Sequence, residues 1–470
     1  MTDKSDISRE PISVAVAVLA AGHGTRMKSA TAKHVHPVGG VPIVQRIIRA
    51  GQAIDPDHIV VVVSPSMADM PKRLGMDGQF QTAIMDEPTG TAHAVLVAIE
   101  ALPEVDYIVS LLGDSPLLTG ETVQKLYQQA IASDRKLTLL TCTLDDAATY
   151  GRIERDEDNC VTAIIESKND DPARRIGRTE INSGIMVLQR DWALDAIRRL
   201  PKDEGTGEYL LTDLVTMAVR ERAPDDIWPI GTVDGPENVS VGINTRQQQA
   251  RADSIVRELM REKHMSAGVS MVGPETIFID ESVVIGQDTT LLPGTILMGN
   301  TTIGANCKIG PYAVLIDATV EDGVTIRAST IESSTVRRDA DAGPYAHIRG
   351  GSDIGEGVHI GNFAELKNTT MARDSKSGHF SYLGDSSIGE RTNIGAGTIT
   401  ANYDGKNKHH TEIGDDVFIG SDTVLVAPVE IEAGAKTGAG AVVTKSVSAG
   451  QTVVGVPAKP IRSRMDAEKE

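Results

Sequence analysis

The sequence predicts two folded parts of different class: an α/β domain with a mostly parallel sheet over residues 1–244, and a parallel β-helix over 267–470, joined by a helical linker at 245–266. Three observations predict this. Apolar runs alternate with helical stretches through the first half, as they do where helices cover both faces of a parallel sheet. Between residues 285 and 420 Ile precedes Gly nine times, and four neighbouring pairs (Ile303/Ile309, Ile354/Ile360, Ile388/Ile394, Ile413/Ile419) lie six residues apart. Aromatic residues make up only 3% of the chain against 45 glycines, so Ile, Val, Leu and Ala must form the interior, which suits both parts.

In the first part, strands are expected at Val14–Ala20, 59–63, Tyr107–Leu112 and 137–141, and helices at 43–54 and 92–102. The first strand runs into LAAGHGTRM at 19–27. Glycines in that place let backbone N–H groups approach a phosphate at the carboxyl end of a strand, and Arg26 and Lys33 add charge. A tight structural turn would look the same in isolation. The loop lacks the last glycine of a dinucleotide fingerprint and the Gly-Lys-Ser/Thr of a Walker loop. Asp114, just past a central strand, suits either a solvated turn or a metal ligand.

Residues 245–263 contain no Gly or Pro and set Ala250, Ile255 and Leu259 among charges, the pattern of a long linking helix. In the β-helix each six-residue unit gives a short strand and a corner, the aliphatic residue points inward, and eighteen residues complete a coil, as from Ile285 to Ile303. The wide gap between Ile360 and Ile388 and the extra residue after Ile394 leave room for loops. Coils through Val324 read as scaffold. The region 343–421 instead gathers Arg349, Glu365, Lys367, His379, Tyr382, Asn393, Asn402, Tyr403 and Lys408 among its corners.

Lys and Arg total 46 against 65 Asp and Glu, and the net charge of −19 argues against a general role on nucleic acid or an anionic membrane. Three scattered cysteines, Cys142, Cys160 and Cys307, form no disulfide framework, the apolar run 14–21 is too short to span a bilayer, and residues 1–11 lack a basic signal region. A soluble cytoplasmic protein is expected.

The first part resembles the nucleoside-diphosphate-sugar pyrophosphorylases, whose GxGTRM start is followed by a lysine and a Gly-x-Pro. The matches continue in order through GTAHA at 90–94, GDSP at 113–116, YGR at 150–152, Glu166, INSG at 181–184, GEY at 207–209 and GIN at 242–244. The resemblance implies a Rossmann-like nucleotidyltransferase fold and attack of a sugar-1-phosphate oxygen on the α-phosphorus of UTP, expelling pyrophosphate. It assigns Mg2+ to Asp114 and Asn244, and triphosphate stabilisation to Arg26 and Lys33. Nucleotide contacts fall to Leu19, Ala20, Ala21, Gly22, Gly90 and Thr91, and sugar contacts to Gly151, Glu166 and Asn182. Two residues depart from the family pattern: Ala32 stands where proline is usual, and Met85 where a glutamine commonly reads the uracil.

The second part resembles the acetyltransferase half of the bifunctional N-acetylglucosamine-1-phosphate uridylyltransferase/glucosamine-1-phosphate N-acetyltransferases. GNFAELK at 361–367, GHFSYLGD at 378–385, NIGAGT at 393–398, NYDG at 402–405 and GDDVFIGS at 414–421 carry it. It implies a left-handed β-helix of hexapeptide repeats and a homotrimer whose acetyl-CoA groove lies between neighbouring copies. His379 is the expected base for the amine of glucosamine 1-phosphate; Arg349 and Lys367 clamp the sugar phosphate; Tyr382 and Asn393 orient it, and Lys408 reaches toward it. Glu365 is expected to orient the histidine or the amine. Acetyl-CoA contacts fall to Ala396, Asn402, Tyr403, Ser421 and Ala439. Near the end GVP at 455–457 replaces a segment that often carries an arginine for the cofactor phosphate, with Lys459, Arg462 or Arg464 as substitutes. The alternative is nucleotidyl transfer alone, the β-helix serving to trimerise or regulate.

Overall fold

A computed structural model describes residues 12–22, 24–147, 149–171 and 177–461. Two compact units divide the chain between Ser254 and Ile255.

The first unit is built on a nine-stranded sheet. Its central strand, Val14–Ala20, is buried along its whole length, because helices cover both faces of the sheet and neither side meets water. It pairs in parallel with His58–Val63 on one side and Tyr107–Leu112 on the other. Gln81–Ile84 extends the sheet beyond the first of these. The long strand Thr179–Gln189 runs antiparallel to its two neighbours, so the sheet is mostly rather than wholly parallel. Helices Ile43–Gln52 and Gly120–Ser133 pack together on one face, and Thr91–Ala101 and Arg190–Arg199 on the other. The four strands expected in this part form where the apolar runs lie, since Val, Ile and Leu buried on both sides fit a pleated surface.

The helix Arg246–Ser266 starts on a capping box: Thr245 Oγ1 accepts from Gln248 N at 3.2 Å, and Gln248 Oε1 accepts from Thr245 N at 3.0 Å. Ala252 and Val256 are buried, one turn apart, while Ala250 is exposed and Leu259 is 43% exposed. In this charge-rich helix, Arg257 stacks on Phe278 at 5.5 Å and Arg261 donates to Ile277 O at 3.2 Å.

The second unit is a left-handed parallel β-helix. One prism face is a column of two- and three-residue strands, from Ser270–Met271 through Thr290–Leu291 and Lys308–Ile309 to Thr452–Val454. The second residue of each short strand points inward, stacking Leu291, Ile309, Ile326, Ala342 and Ile360. Coil length is not constant. Ile309 pairs with Ile326, and Ile326 with Ala342, each step shorter than the one from Ile285 to Ile303.

Of the two expected loop positions, the one after Ile394 holds an insertion and the one between Ile360 and Ile388 does not. The stretch between Ile360 and Ile388 holds no loop: Ile360 pairs with Ser377 and Ser377 with Ile394, so a full coil lies there with serine in the aliphatic place. The insertion follows Ile394, whose true stacking partner is Ile419, and it consists of the residues between the strands Ile399–Ala401 and Thr411–Ile413. Many corners turn on Asp or Asn at positive φ, among them Asn306, Asp339, Asp374 and Asp416, residues that tolerate the left-handed region better than other L side chains do.

Candidate active sites

In the first unit the sheet brings the ends of Val14–Ala20 and Tyr107–Leu112 together. Gly113 N donates to Leu19 O at 2.9 Å, and a Cβ on Gly113 would lie 2.6 Å from that oxygen, so only glycine permits the approach. Asp114 follows directly. The 242–244 turn is tied to it by Ile243 N donating to Asp114 O at 2.9 Å, and Gln248 Oε1 holds Asn244 N at 2.7 Å. The capping box thus sets Asn244 at a fixed place.

Lys33, 7% exposed, donates from Nζ to Asp114 Oδ2 at 2.7 Å and to Asn244 Oδ1 at 3.1 Å. Two hard oxygen donors therefore converge on one cationic centre, which is the donor set a Mg2+ ion takes when substrate phosphates and water complete its shell. Among the described residues no group of three or more His, Cys, Asp or Glu could hold a metal ion.

The glycine-rich loop passes from buried to exposed along its length. Leu19, Ala20 and Ala21 are buried, Gly22 is exposed, and a Cβ at Gly22 would meet nothing within 4 Å. Arg26 is exposed and makes no ion pair among the described residues. Gly90 caps the helix Thr91–Ala101 with φ 117°, where a Cβ would strike Tyr209 O at 2.4 Å, and Thr91 Oγ1 accepts from Leu211 N at 3.2 Å. Met85 is 3% exposed and packs with the core. The three expected sugar residues converge: Asn182 N donates to Gly151 O at 2.9 Å, and Glu166 Oε1 would lie 3.7 Å from a Cβ at Gly151. Thr212, which sequence reasoning missed, fixes Glu166 by donating to Oε1 at 2.9 Å.

In the β-helix, strand register sorts the expected residues. Arg349 pairs with Lys367, and Glu365 with Tyr382, so these four share one prism face. Glu365 accepts from Arg349 Nη1 at 2.8 Å, and among the described residues no hydrogen bond joins it to His379. The insertion folds back as a hairpin in which Tyr403 bridges Lys408, and this delivers the Lys408 ammonium to Lys367. The neighbouring Lys408 is the main cause holding Lys367 below the usual lysine range. Two lysines and a guanidinium gathered this way make a site for an anion.

Asp385, also missed, accepts from Asn368 Nδ2 at 2.8 Å and from Asn402 Nδ2 at 2.6 Å, so it fixes the start of the hairpin. It ends the GHFSYLGD motif, the one signal that could have found it. Asn393 lies on the adjacent face, paired with Lys376 and Phe418, and is not brought to Arg349 and Lys367 within one chain.

The corner between these two faces carries His379, which is exposed. Below it the corner is bulky, with Tyr345, Phe363 and Phe380 in successive coils. Above it the corner is small: Gly397 N donates to Phe380 O, Asp422 N to Ala396 O and Gly440 N to Ser421 O, which stacks Ala396, Ser421 and Ala439 in one row. The structure therefore places three of the five expected acetyl-CoA residues in line with His379, and Asn402 and Tyr403 on the hairpin. Lys459 is exposed in the strand Lys459–Pro460; Arg462 and Arg464 lie outside the described residues.

A nucleotide-sugar transferase domain followed by a hexapeptide-repeat acyltransferase domain is the class this architecture defines. Residues 16–213 match the MobA-like NTP transferase domain family, and 282–317 and 410–445 the bacterial transferase hexapeptide family. The chain belongs to the bifunctional GlmU family. It is 40% identical to the bifunctional protein GlmU of Pseudomonas putida, covering 94% of this chain and 96% of the relative. It is likewise 40% identical to that of Trichlorobacter lovleyi (92% and 94%) and 37% identical to that of an Exiguobacterium species (92% and 94%).

Proposed function

We propose that the chain makes UDP-N-acetylglucosamine in two steps, by acetyl-CoA-dependent N-acetylation of glucosamine 1-phosphate and then uridylyl transfer from UTP to N-acetylglucosamine 1-phosphate. Residues 1–244 carry the second step, 267–470 the first, and 245–266 link them. The observation that carries this reading is that one chain holds two separate charged sites, the oxygen donors Asp114 and Asn244 gathered on the Lys33 cation, and the anion site of Arg349 with Lys367 and Lys408.

In uridylyl transfer the sugar phosphate oxygen is already ionised near neutral pH, so no side chain need remove a proton. Gly151, Glu166 and Asn182 seat the sugar; Leu19 to Gly22, Gly90 and Thr91 take the nucleotide. Arg26 and Lys33 offset the charge of the triphosphate. A Mg2+ ion would be held by Asp114 and Asn244 and would neutralise phosphate oxygens as a Lewis acid.

In acetyl transfer the amine attacks the thioester carbon, the carbon–sulfur bond breaks, and the coenzyme leaves as thiolate. His379 takes the proton that the amine loses. Arg349, Lys367 and Lys408 hold the sugar phosphate, with Tyr382 orienting the ring, and the small row Ala396, Ser421, Ala439 beside Asn402 and Tyr403 leaves room for the pantetheine arm. Asn393, on the next face, serves the site across the corner or from a neighbouring copy in a homotrimer. Free cysteines and substrates made in the cytoplasm favour that compartment.

The test supplies Mg2+, glucosamine 1-phosphate, acetyl-CoA and UTP together and singly, and follows free CoA thiol and pyrophosphate. Both products must form, thiol without UTP and pyrophosphate only after acetylation. Pyrophosphate from supplied N-acetylglucosamine 1-phosphate with no thiol release would leave nucleotidyl transfer alone.

A further inference from the structure

The insertion between the strands Ile399–Ala401 and Thr411–Ile413 brings Lys408 to a place that already holds positive charge. Lys367 and Arg349 stand on the prism face it reaches, and like charges this close repel. Asp385 is the carboxylate that attracts Lys408, and its oxygens are already shared with Asn368 and Asn402. A loose hairpin would swing its ammonium toward water until a phosphate arrived.

Two histidines keep the hairpin from being loose. His409 follows Lys408 directly, and its Nε2 donates to Asp404 Oδ2 at 2.7 Å. Asp404 Oδ1 accepts from Lys406 N and Asn407 N, each at 2.7 Å, so one aspartate closes the tip and grips the returning arm. The Asn407 N–H first, then His409 and the Lys406 N–H, hold the Asp404 carboxyl down at about 2, so it is ionised at neutral pH and the imidazole is the donor. His409 N also donates to Asn402 O at 2.8 Å, tying the two arms together. His410 anchors the hairpin to the prism: its Nε2 and Ser387 Oγ are hydrogen-bonded at 3.0 Å, and Ser387 belongs to the strand Ser381–Ile388 that carries Tyr382. Neither histidine has a part in the chemistry proposed above for either site.

Resting on the proposed acetyl transfer, we propose that His409 and His410 are positioning residues for that reaction, holding Lys408 over the sugar-phosphate site against the repulsion of Lys367 and Arg349. A site that is competent only with the hairpin closed binds with an affinity reduced in proportion to the closed fraction. Loosening the clamp therefore weakens glucosamine 1-phosphate and leaves the chemical step intact, because the bound phosphate itself draws Lys408 in.

The test is CoA release from glucosamine 1-phosphate and acetyl-CoA by the full chain, with kcat and KM read separately. The His409→Ala/His410→Ala double variant should raise the KM for glucosamine 1-phosphate about fivefold, the scale of two exposed contacts, with kcat within about twofold and uridylyl transfer unchanged. His409→Gln, whose amide can still donate to Asp404, should by itself stay within about twofold of wild type. Placed in a Lys408→Ala chain, the double substitution should move that KM less than about twofold, since no ammonium is left to hold. If the double variant fails to fold, Ser387→Ala with His409→Phe, which keeps the ring, should still raise the KM at least about threefold. A wild-type protein that releases no CoA overturns the parent reading. An active wild type overturns the positioning role alone if folded clamp variants keep their KM within twofold, lose kcat instead, or show the same rise without Lys408.

Discussion

Ala32 has φ −60° and ψ 140°, and its N–H makes no hydrogen bond among the described residues. The departure from the family's proline is therefore one of residue type and not of backbone shape. Ala32→Pro should raise stability by about 0.4–1 kcal/mol through the unfolded chain, measured by denaturant unfolding; a loss would mean that the loop resists the ring. His34, one turn on, titrates the other way from most surface histidines. Burial first, and Lys33 second, lower its folded pKa to about 4, below its unfolded value of 6.5. Between those values the unfolded chain binds more protons, so stability falls as pH drops from 6.5 and the loss levels off below about 4. The first unit should lose on the order of 3 kcal/mol over that window, and His34→Asn should flatten the dependence seen in thermal melts. Residue types at this scale were legible: Asp114, Lys33 and Asn244 meet as the motif order implied. The partner of Glu365 was not, because a six-residue repeat fixes which face a side chain takes and leaves open which of its neighbours on that face it bonds.

At the scale of elements, the coil through Ser377 explains why an apparent gap need not be a loop. Ser377 is fully buried in the stack between Ile360 and Ile394, and its Oγ has no hydrogen-bond partner among the described residues. A buried hydroxyl without a partner costs about 1–3 kcal/mol, so Ser377→Ala should stabilise the β-helix by about 1 kcal/mol in chemical unfolding; destabilisation would show that the hydroxyl is satisfied in solution. The Ile-Gly spacing revealed the prism but misassigned the coil boundary, since Ile394 and Ile413 look like one coil plus a residue in the sequence while register pairs Ile394 with Ile419. The insertion lies after Ile394 as expected but is longer than the single extra residue the spacing suggested, and it is the hairpin carrying Lys408. Lys408→Ala should raise the KM for glucosamine 1-phosphate about tenfold and leave uridylyl transfer unchanged, read in separate assays. The long linking helix itself was legible, because residues 245–263 hold no Gly or Pro.

For the whole molecule, the corner row Tyr312, Tyr345, Phe363 and Phe380 has side chains more than half exposed in the single chain, and Tyr345 and Phe363 stack with centroids 5.4 Å apart. Tyr312, Tyr345 and Phe363 have positive φ, which costs a bulky residue about 1–2 kcal/mol relative to glycine. A strained, exposed aromatic row beside His379 is the kind of surface that neighbouring copies would cover in the proposed trimer. Phe363→Gly should relieve local strain yet shift sedimentation from trimer toward monomer; an undiminished trimer would place the interface elsewhere. The central claim is that two chemically independent sites share this chain, and crosswise inactivation tests it most directly. With folding verified, His379→Ala should abolish CoA release from glucosamine 1-phosphate while pyrophosphate release from supplied N-acetylglucosamine 1-phosphate stays at the wild-type rate, and Asp114→Ala should do the reverse. Loss of both activities in either folded variant would contradict the account.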